Sequence, residues 1–354
     1  MPNLPASPLD AQSLTLQLET ERRNVGFDVY DFAVRQLLDM IDGDEINIAP
    51  AYQRKFVWGT DRQSEFIESV FLGIPIPSLF MATNQNSTWD VVDGVQRLST
   101  LIHFCGSPEL RAKQPNMHSP LMLVDLKKLS QFNGKSFAGL PQSIQLLFIN
   151  RPLRITTLND KSDLKVRFDL FERLNSGGVI LKPQEIRNCV YRGPFNDRLK
   201  ELSKSPDFRK VVRLSSNDKS EVTHDELVLR FFAFLENYKQ FDHSVDDFLT
   251  TYMDKGNKVQ PASTTFVKFD QTFAFLAKEL PRGITRSNRR ITPANLFEAI
   301  AVGTALVFGA GKQPKQGVLK QLLNNDILKG LTSGGTNSNK MVVSRIQFVR
   351  DRLL

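Results

Sequence analysis

The chain has 354 residues, length for about two domains, and 41% of them are hydrophobic, so each domain can bury a core. The formal net charge of +8 is unevenly placed: from Pro281 onward twelve Lys and Arg face only Glu298, Asp326 and Asp351, and the first 280 residues sum to −1. Cys105 and Cys189 lack Cys-x-x-Cys or Cys/His spacing, which excludes a disulfide framework and a zinc site, and the most apolar stretch, residues 294–309, is short and carries Glu298, which excludes a membrane span. A reducing, cytoplasmic setting is expected. Residues 1–11 have no basic n-region or apolar h-region, so no secretory signal is expected there.

Residues 1–25 read as a polar lead-in. The apolar spacing of Val29, Phe32, Ala33, Leu37, Met40 and Ile41 predicts a helix, followed by an extended Ile46-Asn-Ile48. Thr60 and Gln63 have capping-box spacing, and Phe66, Ile67, Val70 and Phe71 behind them form one helical face that Gly73 and the Pro75-Ile-Pro77 pair terminate. Residues 78–83 and 88–92 are β-like runs around an Asn-Gln-Asn turn, and residues 153–158 read as a further strand, giving a small mixed α/β domain over residues 26–160.

From residue 161 to the end the period is helical, so the fold class is α+β, with an all-helical second domain whose C-terminal part is basic. Leu164, Phe168, Phe171 and Leu174 make one stripe, and Asn175-Ser-Gly-Gly178 is a strong stop. Pro183 suits a first helical turn, and Thr223 with Glu226 has capping-box spacing ahead of Leu227, Val228, Phe231, Leu235 and Tyr238. Further helices are predicted over residues 266–280, 294–308, 318–328 and 341–354, with a Gly/Ser/Asn-rich hinge at residues 332–339.

The junction Asp93-Gly-Val-Gln-Arg97 carries the strongest chemical signal. A strand handing over to a helix at Asp-Gly leaves backbone N–H groups unpaired, and the helix dipole draws anions there. Gly94 has no Cβ to hold a phosphate away, Arg97 can grip phosphate oxygens with its fork, and Gln96 offers donor and acceptor. An ordinary alternative stays open: Asp93 as an N-cap, with Arg97 paired to it across one turn. Arg282, Arg286, Arg289 and Arg290 have no intervening acid and suit contact with a nucleic-acid backbone, or else form a solvated loop. A Cys105 or Cys189 nucleophile lacks a suitable base, and Asp163 and Glu185 equally suit first-turn positions of helices.

Several separated segments share one order: Tyr52-Gln-Arg-Lys-Phe-Val-Trp58, Gly-Ile-Pro-Ile-Pro77, Trp89-Asp-Val-Val-Asp-Gly-Val-Gln-Arg97, Phe171-Glu-Arg-Leu-Asn-Ser-Gly-Gly178 and Pro183-Gln-Glu-Ile-Arg-Asn188. In this the chain resembles the N-terminal domain family of GmrSD-type, modification-dependent restriction endonucleases, whose core is similar to the ParB/sulfiredoxin fold. The resemblance implies that Asp93, Gly94, Gln96 and Arg97 belong to a nucleotide-binding and hydrolysing motif usually written Asp-Gly-Gln-Gln-Arg, with Val95 in place of the first Gln. It maps the family's Gln-Arg pair onto Gln53 and Arg54, and its Asn with glycines onto Asn175, Gly177 and Gly178. Asp93 and Arg97 are the implied catalytic pair, and the others bind nucleotide.

The cofactor so implied is a nucleoside triphosphate, with Mg2+ as an option. The partners are DNA, including modified foreign DNA, and a separate nuclease subunit. The four histidines, His103, His118, His224 and His243, have no paired metal-binding spacing, so no metal site of the protein's own is expected. Three functions remain open: an NTPase subunit of an antiphage restriction system, a nucleotide-gated module without turnover, and a nucleotide-independent DNA-binding or scaffold protein. The nucleotide, the DNA modification sensed and the oligomeric state are not legible.

Overall fold

The computed structural model describes residues 13–16, 26–48, 58–84, 86–114, 117–158, 164, 168, 169, 171, 173, 182–215, 221–286, 290–335 and 337–354. The chain divides into two compact units, Met1–Leu181 and Lys182–Leu354. The sequence expectation drew its boundary at residue 160, directly after the last strand.

The first unit contains β1 (Phe27–Ala33), α1 (Val34–Asp42), β2 (Ile46–Asn47), α2 (Thr60–Leu72), β3 (Leu79–Thr83), β4 (Trp89–Asp93), α3 (Val95–Cys105), α4 (Pro108–Ala112), α5 (Gln142–Ile149) and β5 (Pro152–Leu158). The strands form one mixed sheet in the order β1-β5-β3-β4-β2. β1 runs antiparallel to β5 with Phe27 opposite Leu158, β3 lies parallel to β5, and β3 and β4 form an antiparallel hairpin with a register shift between Phe80 and Met81. β2 lies parallel to β4, and the buried Asp90 carboxylate accepts from the Asn47 side-chain amide at 3.0 Å across that pairing.

One sequence expectation is corrected here. Residues 29–41 are not one helix: the first part is β1, and α1 starts at Val34, whose N–H donates to the Arg151 carbonyl at 3.0 Å. Val29, Phe32 and Ala33 fit either period, and the partner strand β5, more than a hundred residues on, decides between them. Val34, Leu37 and Ile41 then form the buried stripe of α1.

The helix α2 buries Phe66, Ile67, Val70 and Phe71 as expected and stops at Gly73, which takes the left-handed conformation at φ 69°. Its expected capping box is absent: the N-cap is Gly59, and Thr60 already lies in the first turn. Gln63 instead donates to the Trp58 carbonyl at 2.9 Å. Polar side chains of α2 also fasten a following loop, with Ser64 Oγ accepting from Val124 N at 3.0 Å and Glu68 Oε1 from Lys128 N and Leu129 N at 2.8 and 2.7 Å. Phe71, Phe104, Phe137 and Phe148 interlock beneath, with Phe71 and Phe148 ring centres 4.6 Å apart. Each such ring contributes roughly 1.5–3 kcal/mol on burial.

The second unit is helical throughout its described residues: α6 (Pro183–Val190), α7 (Pro194–Leu202), α8 (Pro206–Val211), α9 (Glu221–Asn237), α10 (Val245–Lys258), α11 (Ser263–Glu279), α12 (Ala294–Gly309), α13 (Val318–Leu322), α14 (Asp326–Thr332) and α15 (Asn339–Leu353). Two expectations change. Thr223 lies inside α9 and does not cap it, while Glu226 pairs with Arg230 one turn on at 2.8 Å. The single helix expected over residues 318–328 is two short ones, because the Asn325 side chain accepts from Leu328 N at 3.1 Å and starts α14 afresh.

The helix α12 is buried almost all round, which accounts for its apolar composition. Gly303 lets α15 approach: a Cβ there would stand 2.8 Å from Val349. Its one acid, Glu298, is fully buried, bonded to Arg345 and held 2.7 Å from Arg230. Burial lowers the Arg230 pKa, but Glu298 and Glu226 more than offset it, so the guanidinium is held charged beyond its ordinary range. Among the described residues, no helix is long and apolar enough to cross a membrane.

Candidate functional site

The junction between β4 and α3 brings Asp93, Gly94, Gln96 and Arg97 together. Asp93 ends the strand, Gly94 is the N-cap residue of α3 at φ 111°, and no side chain caps the helix. Glycine is required there on two counts. The positive φ strains any other residue, and a Cβ would stand 2.3 Å from Leu79 Cδ2, so β3 leaves no room for one.

Arg97 is turned inward, with 11% of its side chain exposed. Its guanidinium reaches Asp93 Oδ2 at 2.7 Å, bonds the Pro77 carbonyl, and lies 3.3 Å from the Ser78 carbonyl. Burial lowers the Arg97 pKa and the Asp93 charge opposes this, which leaves a cation in a partly dry setting. The pairing of Asp93 with Arg97 that the sequence left open is therefore present, while Asp93 is not the N-cap. The Asp93 carboxylate stays 40% exposed.

Gln96 points to a segment the sequence reading did not connect with it. Its Oε1 accepts from Trp58 N at 3.2 Å, the Trp58 carbonyl accepts from Gln63 Nε2, and Gln63 Oε1 lies 2.8 Å from His103 Nδ1. His103 Nε2 faces the Ser119 carbonyl at 3.0 Å. Trp58 itself is flanked by Phe66 and by the Arg62 guanidinium 4.8 Å above its ring. This chain of bonds fixes the residue that closes the Tyr52-to-Trp58 motif against the first turn of α3. Gln63 was the available signal, a polar residue in line with Ile67 and Val70 on the buried face of α2.

Gln53, Arg54, Asn175, Gly177 and Gly178 lie outside the described residues, as do Asp163 and Arg289. Arg282 and Arg290 are exposed, whereas Arg286 donates to the hydroxyls of Thr332 and Ser333. Glu185 is buried and accepts from Lys182 N at 2.6 Å, a helix-capping role.

The Pro183-to-Asn188 motif has a structural role within its unit. Arg187 is fully buried and reaches Asp246 Oδ1 at 2.6 Å, Thr250 Oγ1 at 3.0 Å and Gln184 Oε1 at 3.0 Å. Asn188 donates to Asp225 Oδ2 at 3.1 Å, and burial raises the Asp225 carboxyl against the opposing pull of Ser203 and Asn188. Among the described residues no three His, Cys, Asp or Glu gather in a metal-binding group. Cys105 donates to the Leu101 carbonyl at 3.2 Å, and burial pushes its thiol up to about 12, the reverse of an activated nucleophile.

A mixed five-stranded sheet, with a glycine-led helix start beside an arginine, defines a small mixed α/β domain. Residues 34–192 match the family described as GmrSD restriction endonuclease, N-terminal domain. It links the chain to restriction systems and, through them, to DNA. Comparison with curated proteins and with solved structures found no match.

Proposed function

We propose that this chain is the nucleotide-binding and hydrolysing subunit of a modification-dependent DNA restriction system that acts with a separate nuclease. The observation that supports this most is the start of α3, where the first-turn N–H groups follow a glycine N-cap that has no side chain to bond them, with the Arg97 cation alongside. Phosphates of a nucleoside triphosphate fit those N–H groups, and a bound Mg2+ would neutralise charge developing on them. Asp93 is placed to orient a water or that ion, and Gln96 to hold the Trp58 segment against the site. The mixed sheet is in keeping with the ParB/sulfiredoxin-like core that the family resemblance implies.

The test is phosphate release from each of the four common nucleoside triphosphates, with and without modified DNA, by wild type and Arg97→Ala. Release by wild type and its loss in a variant with unchanged circular dichroism is the expected result. Equal turnover in the variant overturns the role given to Arg97.

One observation favours a second reading, a nucleotide-gated module without turnover. The Arg97 guanidinium is already engaged by Asp93 and two main-chain carbonyls, and Val95 replaces a motif Gln. In that reading the nucleotide exchanges these bonds for its own and shifts the junction between two arrangements. Calorimetric binding without phosphate release selects it.

A further inference from the structure

Two segments some seventy residues apart are zipped together in the helical unit. Ile284 N donates to Val211 O at 2.8 Å, Thr292 N to Arg213 O at 2.7 Å, and Arg213 N to the Thr292 hydroxyl at 2.9 Å. Gly283, at φ 85°, makes the close approach possible, since a Cβ there would lie 2.8 Å from Val211 O and 2.9 Å from Arg213 Cγ. The loop after α11 is thereby fastened to the end of α8, which brings together two backbone segments that carry cations.

The cations divide by what they already hold. Arg209 is committed to Glu221 at 2.6 Å, and Arg286 to Thr332 and Ser333. Lys210, Arg213, Arg282 and Arg290 are exposed, and none of them is in an ion pair among the described residues. Neither residues 208–215 nor residues 280–297 contain an acid. Four unneutralised cations on segments joined by main-chain hydrogen bonds are set to displace counterions from a polyphosphate chain.

We propose that Lys210, Arg213, Arg282 and Arg290 form a sequence-independent contact surface for the phosphate backbone of duplex DNA. The choice of DNA as partner rests on the restriction-system reading above, whereas the surface itself does not depend on nucleotide hydrolysis. Arg286 buttresses the loop and makes no backbone contact.

The experiment compares the full chain with two variants of equal charge. One carries Lys210→Gln, Arg213→Gln, Arg282→Gln and Arg290→Gln. The other, a control, carries Lys312→Gln, Lys315→Gln, Lys320→Gln and Lys340→Gln at exposed lysines elsewhere in the unit. Anisotropy of a labelled DNA duplex is read across a salt series, with thermal melting to confirm folding. The surface variant is expected to bind at least about tenfold more weakly at low salt, with a slope of log affinity on log salt shallower by roughly 3–4, while the control keeps most of both. Equal losses in the two variants, an unchanged slope in the surface variant, or stronger binding of an RNA duplex overturns the proposal. Phosphate release measured on the same preparations without DNA separates the two claims: its absence tells against the NTPase reading alone.

Discussion

The Arg97 guanidinium sits 2.7 Å from the Asp93 carboxylate across one turn, and the same group holds the main-chain carbonyls that lead into β3. A pair that the sequence presents as local is thus also a clamp between α3 and the Pro77–Ser78 corner. Arg97→Lys keeps the charge and can keep the pair with Asp93, but a lysine has no planar fork to serve the carbonyls as well. Loss of stability by about 1–3 kcal/mol, read from urea unfolding, is expected, because hydrogen bonds to a charged group are given up. An unchanged midpoint would show that the carbonyl contacts carry no weight.

Gly94→Ala combines a positive φ with a steric collision against Leu79. A cost of about 1–3 kcal/mol is expected from the backbone strain alone. Gly134→Ala is the internal reference, since it has a φ of 73° and nothing within 4 Å of its Cβ. The Gly94 variant should be the less stable of the two by thermal melting, and equal melting temperatures would rule out the Leu79 contact as the reason for glycine.

His103 gives the first unit a pH dependence. Burial lowers its pKa below the ordinary 6.5; the Ser119 carbonyl works against this, and the Arg111 charge works with it. The unfolded chain therefore binds the proton more readily, so this contribution to stability is whole above about pH 6.5 and is lost as the pH falls below it. Stability measured by urea unfolding should drop between about pH 7.5 and pH 5.5 more steeply in wild type than in His103→Asn. Parallel curves would remove His103 as the group responsible.

In the helical unit, Glu298→Gln takes away the charge that Arg230 and Arg345 share in the core. Breaking one partner of a buried ionic network costs about 3–5 kcal/mol, since the remaining charges lose their compensation out of water. A large fall in melting temperature is expected, and a change within error would mean that water reaches the site.

The Cys105 thiol, raised to about 12 by burial, should resist modification in the folded protein. Alkylation followed by mass spectrometry should label Cys105 and the buried Cys189 only after denaturant is added. Rapid labelling of Cys105 under native conditions would contradict its packing.

Much of this was legible without coordinates because the signals are local. The stripe of α2 and its Gly73 stop, the α12 run with its single acid, and Pro183 at the start of α6 all declare themselves within one or two turns. The Asp93-to-Arg97 junction was equally visible, as a strand giving way to a helix at a glycine. What stayed hidden needed a distant partner. The β1 strand reads as helix until β5 pairs with it, and Thr60 and Thr223 have capping spacing that their helices do not use. Gln63 reads as half of a capping box until Trp58 and His103 close around it.

By itself, then, the chain's order of residues determined where most elements lie and which face of each is apolar. Only the tertiary structure decided which cations are already spent on carboxylates, hydroxyls and carbonyls, and which remain exposed. The physical reason is that amphipathic periodicity and turn chemistry act over a few residues, whereas the partner of a charge or of a strand edge is supplied by segments far away along the chain.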